Sequence, residues 1–459
     1  MHIEKEGKNM VDKAREIALK ILYRIDKENA YSNIVLNEVL NENRKKLTPK
    51  DIGLISEIIY GVTTWKLTLD VIIEKHSKIK LKKISTWIIN ILRMGIYQIL
   101  FLDKIPQSAA VNESVNLAKK YGHKTSANFV NAILRKITMV DYAELFKIQD
   151  PIEKISKTTS MPVWIIKELL EDRNYDGKNE EIIADVRKIC GNLIQRPVIT
   201  IRRNKLKIDK EKFEKQLKEN KINYKNIKEN TDFYIVEKVK NIENLEIFKK
   251  GYFTVQDISA GMAAYMIEPK KGDKILDACS APGGKTTYIA ELMENEGQID
   301  AWDLYETRTK LIKENAERLG ITIINTKQND ATKYQKENEK KYDKILLDVP
   351  CMGIGVIKRK PDIKWHREEK DLKIISKIQK QILENCSKYL KEKGTIVYST
   401  CSILPAENEK VINYFLKKHK DFHTENLGTM CGKYEKLSNL QLYQNMENDG
   451  FFISKLRKK

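Results

Sequence analysis

The 459-residue sequence has few residues that could hold a metal, and those few are badly spaced for it. Its six cysteines (190, 279, 351, 386, 401 and 431) form no CxxC pair, and its six histidines no HExxH, so no zinc or other metal is expected. Long hydrophobic runs are absent too. The most apolar segment, Trp87 to Leu102, is interrupted by Asn90, Arg93 and Gln98 and falls short of the roughly 18 residues of a membrane span. It reads as a buried core helix, and no membrane partner is expected. Nor does a basic, then apolar, then small-residue leader open the chain, which points to the cytoplasm and to reduced thiols. A phosphate-binding loop is also missing. The stretch DACSAPGGKT, Asp277 to Thr286, ends like one, but Cys279 stands where the Gly five positions before Gly-Lys is required. A nucleoside triphosphate is therefore a poor fit.

What the chain has in excess is positive charge. A net charge of +20, with pI near 9.3, points to a polyanionic partner, although lysine supplies most of it and a Lys-rich composition also follows from base composition. The length suggests about three domains.

Residues 1–140 read as helices throughout. Ile17, Ile21 and Ile25, with Ala18 and Leu22 alongside, form a stripe at helical spacing, and Pro106 breaks the pattern before another helix. The last helix of this region, about Ser126 to Lys136, carries Asn128, Asn131, Arg135 and Lys136 on a face that suits either RNA or solvent. Between 141 and 250 two helical stretches precede RPVITIRRN and DFYIVE, which read as strands around a helix, KEKFEKQLKEN. This is a linker followed by a small α+β module. Arg202, Arg203 and Lys205, at the first strand's end, form either a phosphate grip or a solvated edge. From 251 to 459 strands and helices alternate through KILD, GQIDAWD, ITIINT, KILLD and GTIVYST, the pattern of a doubly wound parallel sheet. GFFISKLRK would close it as an antiparallel edge.

In such a sheet, residues that follow different strands meet in one crevice. The strand ends here are Asp277, Asp303, Asp330, Asp348 with Cys351, and Cys401. Acids at strand ends often only cap helices. Asp303, however, lies where an acid bonds ribose hydroxyls, and a ribose-bearing cofactor without pyrophosphate suits the missing phosphate loop. Cys190, Cys386 and Cys431 read as small buried hydrophobes. Cys351 and Cys401 instead sit in turns at the crevice edge, where a thiol meets ligand. A thiolate that adds to C6 of cytosine turns the ring into an enamine able to take a methyl group at C5.

Three stretches carry a resemblance: DACSAPGGKT, DVPCMGIG with KRKPDIKW, and YSTCSILPAENE. Together they resemble the S-adenosylmethionine-dependent RNA cytosine-C5 methyltransferases over 251–459. That family joins a Pro-Cys and a Thr-Cys motif in one site, here Pro350-Cys351 and Thr400-Cys401. The resemblance implies Cys401 as the nucleophile, Cys351 as the thiol that assists proton removal and product release, and Asp348 as the partner of the flipped base. It also implies S-adenosylmethionine held by Cys279, Ser280, Ala281, Pro282, Gly283, Gly284 and Lys285 around the methionine part, by Asp303 at the ribose and by Asp330 at the adenine, with Asp348 alongside. AREIALKILYRI, RMGIYQILFLDKIPQSAAVNESVNLAKKYG and ANFVNAILRKI resemble the RNA-binding helical domain of NusB. The expected architecture is therefore multidomain: an all-α NusB-like domain, a small α+β module and a Rossmann-like class I methyltransferase domain. The combination implies 16S ribosomal RNA as partner, a cytosine as target and a monomer as the simplest state. Transfer RNA as substrate, or a non-catalytic RNA-binding assembly factor, are the alternatives. Val349, Met352, Ile354 and Lys360 depart from the family's commoner Ala, Ser, Thr and His, which touches the fit around the base and not the reaction class.

Overall fold

The computed structural model describes residues 11–139, 146–227, 232–237, 239, 241–427 and 437–459. Cys431, expected as a buried hydrophobe, lies outside the described residues. The chain forms two compact units, Met1–Ile194 with Lys360–His366, and Gln195–Arg359 with Arg367–Lys459.

The first unit is helical: α1 (Lys13–Glu28), α2 (Ser32–Asn43), α3 (Pro49–His76), α4 (Thr86–Phe101), α5 (Gln107–Tyr121), α6 (Lys124–Ile137), α7 (Pro151–Thr159), α8 (Val163–Glu171) and α9 (Glu180–Leu193). Local chemistry starts many of these helices. Asp12, Ser85, Asp150 and Asn179 accept from backbone N–H groups of the first turns they precede, and Thr48 with Asp51 forms a capping box ahead of α3. The apolar stripe of α1 and the long segment now seen as α4 are buried together in one core. The three polar interruptions of α4 are all partnered there. Asn90 and Arg93 bond Asp26, and Gln98 accepts from Arg15. Helix α6 buries Val130, Ile133 and Leu134 and leaves Asn128, Arg135 and Lys136 exposed, as its sequence pattern requires. The segment 360–366, with a short helix α15 (Ile363–His366), belongs to this unit: Lys364 Nζ donates to Thr64 O at 2.8 Å and Trp365 Nε1 to Thr63 O at 2.7 Å.

The second unit holds two sheets. The smaller is antiparallel, in the order β2-β3-β1-β4, from β1 (Ile199–Arg203), β2 (Asn223–Asn226), β3 (Phe233–Glu237) and β4 (Phe253–Val255), with α10 (Lys210–Glu219) and α11 (Glu246–Lys249). The larger runs β10-β12-β9-β8-β5-β6-β7, with β11 paired to β12. Its central strands β5 (Lys274–Asp277), β6 (Gln298–Asp303), β7 (Ile324–Gln328), β8 (Tyr342–Asp348) and β9 (Leu390–Thr400) are parallel. β12 (Phe451–Lys458) runs antiparallel to β9 as expected, beside short strands β10 (Phe422–Thr424) and β11 (Asn439–Leu442). Helices α12 (Ile258–Met266), α13 (Gly284–Leu292), α14 (Glu306–Leu319), α16 (Glu369–Ser387) and α17 (Glu409–Lys418) complete it. Because β5 lies between β6 and β8, strand order reverses there, the switch point where such sheets bind ligands. The strand expected at ITIINT begins later, at Ile324. Gly320 ends α14 in the left-handed region (φ 74°), and Ile321 N bonds back to Ala316 O, which ties Ile321 to the helix end instead.

Candidate active site at the strand ends

The loop between β5 and α13 is built to hold one shape. Asp277 is fully buried at its start, and its Oδ2 accepts from Thr286 Oγ1 at 2.7 Å, tying strand to helix. Burial pushes this carboxyl up to about 7, against the pull of Thr286. Ser280 donates through both N and Oγ to Trp302 O at 2.8 Å. Gly283 occupies the left-handed region (φ 99°), where a Cβ would stand 3.2 Å from the Ile312 backbone, so glycine is needed on both counts. From α14, Arg308 and Asn315 donate to Ala281 O and Pro282 O. The half-buried Cys279 lies in this loop. Asp303 ends β6 and is 4% exposed; its Oδ1 accepts from Tyr305 N at 3.1 Å, and Arg308 lies 3.5 Å from Oδ2. Asp330, past β7, accepts from Thr332 N and Oγ1, a turn-forming role that holds its carboxyl below the usual range.

These groups fit a cofactor that carries a ribose and a cation. Acids close β5, β6 and β8, and a fourth follows β7. The one cation of the loop, Lys285, turns to Asp348, its Nζ 2.7 Å from Oδ2. A pyrophosphate would find little positive charge here, whereas the helix terminus of α13 suits a carboxylate.

The two thiols meet beyond the neighbouring strands. Asp348 pairs with Ser399 in the β8–β9 ladder, so the turns that follow, with Cys351 and Cys401, leave the sheet side by side. Their Sγ atoms are 3.1 Å apart and both residues are half-buried. Ser399 Oγ donates to Asp348 Oδ1 at 3.0 Å, and the Lys285 ammonium stands 5.1 Å from the centre of the Phe451 ring. Burial opposes the Lys285 charge, but Asp348 more than offsets it, with Cys401 contributing, so its pKa rises. Cys351 is different. The bond with Cys401, then burial, then the charges of Glu407 and Asp348 push its thiol well up. Cys351 is thus held as a neutral thiol, while Cys401 has a cation near it.

All the proposed thiol and carboxylate residues therefore lie at the ends of the parallel strands. Sequence reasoning placed Lys285 in the cofactor loop and missed its pairing with Asp348. It also missed Ser399, Phe451 and Glu407, although Glu407 stands in the quoted stretch YSTCSILPAENE.

The arginines at the end of β1 are neither a phosphate grip nor a solvated edge. Arg202 is fully buried, with Nη2 2.7 Å from Glu291 Oε1 and Nη1 donating to Gly284 O. Arg203 is spent on Asp232 and Ile208 O. β1 is an inner strand with partners on both sides, which places its side chains in packed layers. Lys205 remains partly exposed beside a groove of about 960 Å³ where Lys207, Lys210, Lys212, Lys215 and Lys250 outnumber Asp209 and Glu219.

A switch-point crevice with a tight strand-to-helix loop, acids at successive strand ends and two adjoining thiols at its edge has the architecture of a class I methyltransferase domain. The chain belongs to the 16S rRNA methyltransferase RsmB/F family, whose model matches residues 264–457, and residues 12–139 match the NusB family. The protein from Bacillus subtilis (strain 168) named Probable ribosomal RNA small subunit methyltransferase B is 36% identical, over 97% of this chain and 98% of its own. Ribosomal RNA small subunit methyltransferase B of Photorhabdus laumondii is 32% identical, over 92% and 94%. Among solved structures, NSun6 from Pyrococcus horikoshii with SFG shares 26% identity over 64% of this chain and 98% of that one, at a TM-score of 0.55. Among the described residues no helix is long and apolar enough to cross a membrane.

Proposed function

We propose that the chain methylates C5 of a specific cytosine in 16S ribosomal RNA, with S-adenosylmethionine as donor and Cys401 as the attacking thiol. The observation that carries this reading is the pair of thiols, 3.1 Å apart, beside the Lys285–Asp348 pair. Methyl transfer to an atom that is already nucleophilic needs no thiol; two of them at one site answer the poor nucleophilicity of cytosine C5.

The target base must leave its stack to reach the crevice. Cys401, near the Lys285 ammonium, loses its proton to solvent as its Sγ bonds to C6, which makes C5 an enamine carbon. S-adenosylmethionine, when bound, supplies the electrophilic methyl group that C5 takes up. Residues Cys279 to Lys285 would hold its methionine part, Asp303 its ribose and Asp330 its adenine edge. The C5 hydrogen leaves as a proton to solvent water, and Cys351, beside the departing Cys401 sulfur, assists that loss and the release of product. The electron pair of that C–H bond restores the ring double bond as the Cys401 Sγ–C6 bond breaks. Asp348 holds the base and stabilises the adduct. The exposed basic face of α6 and the lysine groove support an RNA partner, and a monomer acting in the cytoplasm is the simplest setting.

Bisulfite sequencing of ribosomal RNA from cells with and without the gene tests the reading. One 16S cytosine losing its protection in the deletion strain is the expected result. If every ribosomal cytosine is unchanged, the proposal falls in favour of transfer RNA or a non-catalytic role.

A further inference from the structure

A buried acid between the two cysteine turns takes no part in the reaction steps. Glu407 closes the short turn Pro405–Glu407 beyond Cys401 and is fully buried. Its Oε1 accepts from Met352 N at 2.7 Å, the residue after Cys351, and from Gln379 Nε2 at 3.1 Å on α16. Its Oε2 bonds Ser402 Oγ, the residue after Cys401. Gln379 Nε2 also donates to Pro350 O at 2.9 Å, the residue before Cys351. On the other side, Asn408 accepts from Thr400 Oγ1 at 2.6 Å and donates to Ser402 O at 3.1 Å. Every residue that flanks either cysteine is thus bonded to Gln379, Glu407 or Asn408. Among the described residues, Glu407 joins the two turns through one side chain.

We infer that Glu407 is a positioning residue that locks the Cys351 and Cys401 turns in register, so that both thiols address the same carbon framework of the base. The inference rests on the two-thiol reading above. The β8–β9 ladder stops at Asp348 and Ser399, and beyond it Val349 N donates to Ser399 O, Gly355 N donates to Cys401 O, the two thiols meet, and this carboxyl bridges the turns. A carboxyl offers two acceptors on one rigid plane, one for a backbone N–H and one for a hydroxyl. Aspartate is a methylene too short to span them. An amide in its place accepts from Met352 N through its oxygen and donates to Ser402 Oγ through its nitrogen. Burial, partly offset by Ser402, Met352 and Gln379, also raises this acid to about 7, so the lock works with the acid neutral or charged.

The test reads the thiols directly. Full-length protein, without RNA or cofactor, is treated with diamide, which takes two hydrogens from a dithiol, and the Cys351–Cys401 disulfide is followed by peptide mapping. Glu407→Ala is expected to slow its formation by roughly tenfold or more, as effective concentration falls when the turns drift apart. Glu407→Gln is expected to stay within about threefold, since both bonds can be remade. In methylation assays Glu407→Ala lowers kcat and leaves KM for S-adenosylmethionine unchanged. A disulfide that forms in Glu407→Ala at the wild-type rate overturns the inference. Should that variant not fold, Ser402→Ala cuts the Cys401 side alone and is expected to slow the reaction severalfold, with an unchanged rate again decisive. A wild-type protein that cross-links but never methylates RNA refutes the proposed reaction and leaves the lock standing.

Discussion

Two cations, the buried Arg93 of the helical unit and the half-buried Lys285 of the other, are held in opposite ways. In the helical unit Arg93 gives Nε and Nη2 to the two oxygens of Asp70 at 2.7 and 2.8 Å, and Nη1 to Asp26 at 2.8 Å. Asp26 is met in turn by Lys66 at 2.7 Å and Asn90 at 3.0 Å. Burial opposes both charges, yet the partners outweigh it, so Arg93 stays charged and Asp26 sits below the usual carboxylate range. In the catalytic unit Lys285 makes one hydrogen bond among the described residues, to Asp348, and otherwise faces the Phe451 ring and the Cys401 thiol. A saturated bidentate network is committed to the fold, because any change strands a buried charge. A lysine with donors to spare can lend them to a reactant.

The comparison breaks most sharply at the thiols. Cys401→Ala is expected to lower methylation by at least about 10⁴-fold without weakening cofactor binding, because the addition step disappears. Retained turnover, measured with tritiated cofactor and 16S RNA, would remove Cys401 as nucleophile. Cys351→Ala is expected to lower turnover by about 10²- to 10³-fold and to leave a protein–RNA adduct that survives denaturing gels, since addition outruns release. An adduct-free gel would end that role for Cys351.

The cations come next. Lys285→Met is expected to cost about 10²-fold in kcat, the scale of one preorganised charge, with little change in melting. Arg93→Met should do the reverse, costing about 3–5 kcal/mol in the helical unit's stability while kcat of folded protein is kept. If the two variants behave alike, saturation of hydrogen bonds does not separate function from framework here. Smaller still, Asp303→Ala is expected to weaken S-adenosylmethionine by roughly tenfold and RNA hardly at all, measured by calorimetry, as loss of charge-assisted ribose bonds predicts.

The same contrast explains what could be read from the chain alone. Periods of 3.6 and 2 locate α1, α4, α6 and the long central strands because those elements bury one face against a large core. Strands β2, β4, β10 and β11 are three or four residues long and lie at or near sheet edges, where tertiary pairing and not local pattern decides. The strand-end acids and both turn cysteines were legible because a parallel sheet gathers strand ends. Partners were not. Arg202 and Arg203 resemble a surface basic cluster until Glu291 and Asp232 close on them, and nothing in the spacing of Glu407 announces that it reaches Met352.

The last expected effect is on pH, and it has opposite signs at the buried acids Asp277 and Glu407 of one unit and at Asp26 of the other. Burial raises Asp277 and Glu407 to about 7 from ordinary values near 3.8 and 4.5. The folded catalytic unit therefore keeps protons that the unfolded chain has released over this range. That contribution to stability is fully present below pH ~4 and is lost as pH rises through about 7, by up to ~4 kcal/mol for Asp277 and ~3 kcal/mol for Glu407. Asp26 runs the other way. Its lowered pKa stabilises the helical unit above pH ~4, and the stabilisation is lost as pH falls further. Denaturant unfolding of each unit between pH 3 and 8, followed by hydrogen exchange at peptide resolution, separates the two slopes. Asp277→Asn keeps an acceptor for Thr286 and removes one titration, so the decline of the catalytic unit between pH 4.5 and 7.5 should become shallower. An unchanged slope would place the titration elsewhere and leave Asp277 as an ordinary charged strand end.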